Sequence, residues 1–161
     1  MNLTAEVLYE VLKSKNMTIA TAESCTGGMI GAALTSVSGV SECYGFGVVT
    51  YANEAKEKLL GVSHTTLENV GAVSYETACE MAQGALDLSG ADIAISVTGI
   101  AGPGGGTSEK PVGLVYIGIA QKNGEVKAYK NNFSGSRDSV RTQTVVKALE
   151  LAIKAVKGEL I

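Results

Sequence analysis

The stretch "ADIAISVTGIAGPGGGTSEKPVGLVYIGIAQKNGEVKAYKNNF", residues 91–133, decides the fold. Its opening, Ala91 to Gly99, is a short and nearly continuous apolar run, the pattern of a strand buried on both faces of a sheet. Its closing segments, "VGLVYIGIA" and "EVKAYKNNF", read as two further strands joined through "QKNGE". The Asn123-Gly124 pair there signals a tight hairpin turn, so these two strands are antiparallel. Between the first strand and the hairpin lies "IAGPGGGTSEKP", the one low-complexity stretch of the chain.

Upstream, strands and helices alternate. Leu3, Val7, Leu8, Val11 and Leu12 recur at helical spacing, with Lys13 and Lys15 near the C-terminal end. "MTIATAE" reads as a first strand, followed by "SCTGG" and a helical "MIGAALTSV". A second strand covers roughly Gly45 to Tyr51. A short helix then runs from Glu54 to Gly61, with Asn53 as its N-cap. "GVSHTTLEN", with the lone His64, reads as a polar connection. Ser74 caps a longer helix whose inner face is Ala78, Met81, Ala82 and Leu86. A last helix from about Asp138 carries Val140, Ala148, Leu149, Ala152 and Val156. Early strands separated by helices pair in parallel through crossovers. The expected architecture is a three-layer α/β/α sandwich with a mixed, mostly parallel sheet of about five strands, as one domain over residues 1–161.

Composition narrows the function classes. The chain of 161 residues is 45% apolar and 18% charged, with a net charge of −3 and no basic run. That argues against a nucleic-acid groove. Its three cysteines, Cys25, Cys43 and Cys79, lack CxxC spacing and read as reduced thiols of a cytoplasmic protein. A single histidine leaves no basis for a histidine triad or metal cluster, and no metal or cofactor is expected. The apolar runs are strand-sized, so no membrane span is expected, and "MNLTAEVLYEVLKSKN" carries charges throughout, unlike a signal peptide.

In sheets of this type ligands sit beyond the carboxyl ends of the strands. "SCTGG", "TYANEAK" and "TGIAGPGGGTSEKP" each follow a strand and form a candidate pocket. The glycine run Gly102–Gly106 matches neither nucleotide fingerprint. Its N–H groups can approach an anion or carbonyl closely; a plain crossing between strands is the alternative. Ser24 and Thr26 read first as helix caps. Lys56 falls in a first helical turn, where a cation is disfavoured and a glutamate would complete a capping box. Burial and helix geometry push such a lysine toward the neutral amine, and a serine hydroxyl becomes nucleophilic when a base takes its proton. Ser41, Tyr51 and Lys56 are therefore singled out, with Tyr51 placed to relay a proton. A turn serine, a core tyrosine and a solvated lysine are the plain alternative.

The ordered set "ATAESCTGG", "GVVTYANEAK", "LLGV", "GAVS", "TGIAGPGGGTSEKPVG" and "FSGSRDSVR" spans nearly the whole chain. It resembles the CinA C-terminal domain family, nicotinamide-nucleotide amidohydrolases found alone or fused to a second domain. The resemblance implies a three-layer α/β/α fold and removal of the carboxamide nitrogen of nicotinamide mononucleotide. It places the nucleophile at Ser41 in "GVSECYGFGVVTY", with Tyr51 and Lys56 beside it, and leaves Ser24, a rival by its motif, in a neighbouring loop. It matches Thr98 to a helper hydroxyl and brings Arg137 or Arg141 into the site. Ser136 stands where many relatives carry aspartate.

The expected mechanism has Lys56 take the Ser41 proton with Tyr51 assisting, while N–H groups near Ser41 or in the glycine loop hold the oxyanion. Thr98, Gly102, Gly104, Gly105, Gly106, Arg137 and Arg141 are the expected substrate-binding residues, the arginines and glycines serving the phosphate. A homodimer is expected from family habit. A non-catalytic nucleotide-binding or regulatory module, or a hydrolase of another amide, are the competing classes.

Overall fold

The computed structural model describes residues 1–159. Five strands, β1 (Ile19–Glu23), β2 (Tyr44–Val49), β3 (Ile93–Gly99), β4 (Leu114–Gln121) and β5 (Lys127–Asn132), form one sheet in the order β2-β1-β3-β4-β5. β1 pairs in parallel with both β2 and β3, while β3–β4 and β4–β5 are antiparallel. The sheet is mixed, as expected. Its two antiparallel pairings arise because β3 turns back directly into β4 through the glycine-rich segment rather than through a helix, and β4 into β5 through a hairpin.

Helices α1 (Asn2–Ser14), α2 (Met29–Thr35) and α6 (Arg137–Lys157) cover one face, and α3 (Asn53–Leu60), α4 (His64–Asn69) and α5 (Tyr75–Ser89) the other. α4 occupies the segment read as a polar connection. Its buried Leu67 docks it beside α5. β3 divides its side chains between the two layers by simple alternation. Ile93, Ile95 and Val97 enter the larger core with α1, α2 and α6. Ala94, Ser96 and Thr98 face α5, and these small groups let the helix approach closely. Ser96 donates to the Ala78 carbonyl at 2.5 Å, and a Cβ on Gly118 of β4 would overlap that same carbonyl.

Two helix starts bear on the site. α3 begins one residue earlier than read from the sequence, with Ala52 at the N-cap and Asn53 as its first residue, its side chain making no cap bond. α6 begins at Arg137 and is capped by Ser136, whose Oγ accepts from the Ser139 N–H. Serine here fills the capping role that aspartate fills equally well. Among the described residues no helix is long and apolar enough to cross a membrane.

Candidate active site

A cleft of about 290 Å³ lies at the carboxyl ends of β1, β2 and β3. Its walls come from the β1–α2 turn (Ser24, Cys25), the start of α3 (Tyr51, Asn53, Lys56), the α4–α5 turn (Ala72, Val73), the glycine loop after β3, and Arg137. All three loops singled out by composition meet there.

The β1–α2 turn is held by Glu23. This carboxylate is 2% exposed, and its oxygens accept from the Thr26 hydroxyl at 2.6 Å and from the N–H groups of Gly28, Ile30 and Gly31 at 3.0, 3.0 and 2.8 Å. A buried anion that accepts the otherwise orphaned N–H groups at a helix start is well compensated. Glu23, not Ser24 or Thr26, therefore caps α2, and Ser24 is released to face the cleft.

There Ser24 Oγ lies 3.2 Å from Lys56 Nζ. Lys56 is 1% exposed, and its amine also reaches the carbonyls of Thr50 at 2.8 Å and Tyr51 at 3.2 Å. Desolvation lowers its pKa below the usual lysine range, opposed in part by the neighbouring Cys25. Burial pushes the Cys25 thiol up to about 11, so it is no thiolate at neutral pH. The anomaly of a lysine at a helix start thus has a structural answer: its side chain turns inward, away from water.

The other expected residues separate into groups. Tyr51 lines the cleft mouth, 62% exposed, and its hydroxyl accepts from Arg137 at 3.2 Å. Arg137 also donates to the Gly102 carbonyl at 2.8 Å, tying the start of α6 to the glycine loop. Thr98 lines the cleft, with its hydroxyl on the Ala72 carbonyl at 2.8 Å. Gly102, Gly104 and Gly105 line it too, whereas Gly106 packs against Val112. Arg141 stands behind the cleft wall, donating to the carbonyls of Cys25 at 3.2 Å and Thr26 at 3.0 Å. It clamps the Ser24 turn from outside.

Ser41 is the correction. It is exposed in a single 3-10 turn, Val40–Glu42, that precedes β2, beside Thr18 and Ile19 where β1 begins. β1 and β2 run parallel, so Ser41 lies at the amino ends of the strands and Lys56 beyond their carboxyl ends. The six residues of β2 stand between them, on the order of 20 Å. Ser41 is not brought to Lys56; Ser24 is. Asn53, which the sequence showed only as a cap, also lines the cleft, as do Ala72, Val73 and Ile100. No spacing signal marks these residues.

The model of the CinA C-terminal domain matches residues 2–156. The chain belongs to the CinA C-terminal domain family. A relative from Thermoanaerobacter sp. (strain X514), carrying the competence-damage inducible name, is 52% identical over 153 residues, 95% of this chain and 37% of that protein. The chain thus spans little more than a third of such relatives. A nicotinamide-nucleotide amidohydrolase, PncC, of Enterobacter agglomerans is 52% identical over 143 residues, 89% of this chain and 87% of that protein. Among solved CinA-type structures, the competence/damage inducible protein CihA of Agrobacterium tumefaciens superposes with a TM-score of 0.93 at 44% identity, covering 97% of this chain and 94% of that one. A CinA superfamily protein of Klebsiella pneumoniae superposes with 0.94 at 34% identity, covering 98% of both.

Proposed function

We propose that this domain is an amidohydrolase that removes the carboxamide nitrogen of nicotinamide mononucleotide, with Ser24 as nucleophile and Lys56 as its base. The contact between Ser24 Oγ and the buried Lys56 Nζ carries the reading. The near full-length likeness to a protein named as a nicotinamide-nucleotide amidohydrolase supplies the substrate.

Desolvation favours the neutral amine. A neutral amine has two N–H donors and one lone pair; an ammonium has three donors and none to accept with. The three partners of Lys56 Nζ, the Thr50 and Tyr51 carbonyls and the Ser24 hydroxyl, can each accept, so they satisfy an ammonium. Once burial has removed the extra proton, the two N–H groups stay on Thr50 and Tyr51 and the lone pair faces the Ser24 O–H.

Lys56 withdraws the Ser24 proton as Oγ adds to the carboxamide carbon. The N–H groups of Cys25 and Thr26 donate to no backbone acceptor among the described residues and flank the nucleophile. They serve as oxyanion donors, with the Arg141 clamp fixing their peptide units. The proton passes from Lys56 to the leaving nitrogen, ammonia departs, and water cleaves the Ser24 ester along the same path. Arg137 keeps N–H groups free of Gly102 and Tyr51, and with Gly104 and Gly105 it receives the phosphate. Tyr51 orients Arg137 and so acts on the substrate's phosphate end.

Ammonia release from nicotinamide mononucleotide, compared among wild type, Ser24→Ala and Ser41→Ala, tests this. Loss in Ser24→Ala with retention in Ser41→Ala is expected. Release that survives in Ser24→Ala rules out the nucleophile, and none from wild type favours a binding module or another amide.

A further inference from the structure

The cleft holds two basic side chains, Lys56 and Arg137, and among the described residues no aspartate or glutamate lines it. The nearest buried carboxylate in sequence, Glu23, has both oxygens engaged by the start of α2. Few titratable groups share the cleft with Lys56. They are the Cys25 thiol of the β1–α2 turn, the Tyr51 phenol just before α3 and Arg137 of α6, while β3 supplies only the uncharged Thr98. Glu54 and Lys58 of α3 are exposed, and Glu57 is taken by His64 at 2.9 Å. On α5, Glu80 is occupied by the Ser63 N–H and the Thr66 hydroxyl. Among the described residues Lys56 thus has no resident counter-ion.

We propose that the cleft is a proton-coupled carboxylate site: a ligand carboxylate that reaches Ser24 becomes the counter-ion Lys56 lacks, and the amine takes up a proton as it binds. The proposal rests on the deamidation reading for its natural ligand, the carboxylate product. When water cleaves the Ser24 ester, the C–Oγ bond breaks and Oγ regains its proton. The carboxylic acid formed passes its remaining proton to the buried Lys56 amine, leaving an ammonium–carboxylate pair. Such a pair is strengthened by low local dielectric. The amide substrate brings no charge at that end and needs the amine neutral. Substrate and product therefore select opposite protonation states of one lysine, and the product retains the state that cannot start another cycle. Product inhibition that deepens as pH falls is built into the site.

Titration calorimetry on the Ser24→Ala protein, which keeps Lys56 but cannot turn over, tests the idea. Nicotinate and nicotinate mononucleotide serve as carboxylates and nicotinamide mononucleotide as the amide, each in two buffers of different ionisation enthalpy. The carboxylates should bind with uptake of about one proton and the amide with close to none. The carboxylate Kd should weaken about tenfold per pH unit over the range where the free amine is neutral. Lys56→Met should abolish both the uptake and the slope. Equal uptake by amide and carboxylate, a carboxylate Kd flat with pH, or no carboxylate binding overturns the proposal. Ammonia release by wild type is scored separately, so that deamidation and proton-coupled product binding stand or fall independently.

Discussion

Gly84, in the middle of α5, lies so close to Leu60 at the end of α3 that a Cβ on it would overlap the Leu60 carbonyl. A glycine inside a helix costs about 1 kcal/mol relative to alanine, and here the missing methyl lets the two helices touch. That contact fixes α3, and α3 carries Lys56. In Gly84→Ala the gain in helix propensity is outweighed by overpacking, which costs about 1–3 kcal/mol. The expected result is a lower Tm together with a fall in kcat, as the displaced α3 draws Lys56 from Ser24. An unchanged Tm and unchanged kcat would show that the helices separate without moving the amine.

Thr50 has a buried hydroxyl without a hydrogen-bond partner among the described residues. Its carbonyl, by contrast, holds Lys56. A buried unsatisfied hydroxyl costs about 1–3 kcal/mol, and valine has the same shape without it. Thr50→Val should therefore raise the midpoint of denaturant unfolding with unchanged slope and leave ammonia release within about twofold. A destabilised variant would mean that the hydroxyl has a partner in solution.

The two arginines should part company when replaced. Arg137→Ala removes a cleft-facing guanidinium and its bonds to Gly102 and Tyr51. It is expected to raise KM about tenfold or more for nicotinamide mononucleotide and to lower kcat less. Arg141→Ala removes the bonds to the Cys25 and Thr26 carbonyls, so kcat should fall while KM changes little. Steady-state kinetics on both variants decides it, and the opposite split would exchange their roles.

Most of the layered fold is legible in the sequence, because the continuous apolar run of β3, the helical apolar spacing of α1, α5 and α6 and the Asn123-Gly124 turn are local signals. Lys56 is legible as an anomaly for the same reason, since its helix start is readable. In the sequence Ser24 reads as a cap, because a serine before a helix ordinarily is one. What displaces it from that role is Glu23, whose carboxylate reaches N–H groups five to eight residues onward, a relation no capping pattern encodes. The separation of Ser41 from Lys56 has a different cause. Sequence distance from Lys56 is short, but an intervening strand turns short sequence distance into opposite ends of the sheet. α4 is not legible, because a helix of six residues with one buried leucine leaves almost no periodicity to read.

The pH dependence of turnover follows from Lys56. Its pKa is lowered by burial, so in the proposed mechanism the amine becomes competent as base as pH rises through that lowered value, and kcat/KM should climb and then level below the usual lysine range. Folding stability carries the matching sign. Between the folded value and the unfolded value of 10.5, the unfolded chain binds the proton and the folded one does not, so stability rises with pH through that window. The Lys56 contribution is complete above 10.5 and is lost as pH falls through the folded value. Replacing the amine by methionine removes this dependence. Wild type should therefore gain stability relative to Lys56→Met as pH increases, measured by urea unfolding at successive pH values. A constant difference between the two proteins would mean that Lys56 keeps its ordinary pKa in the fold, and the amine could not then serve as base at neutral pH.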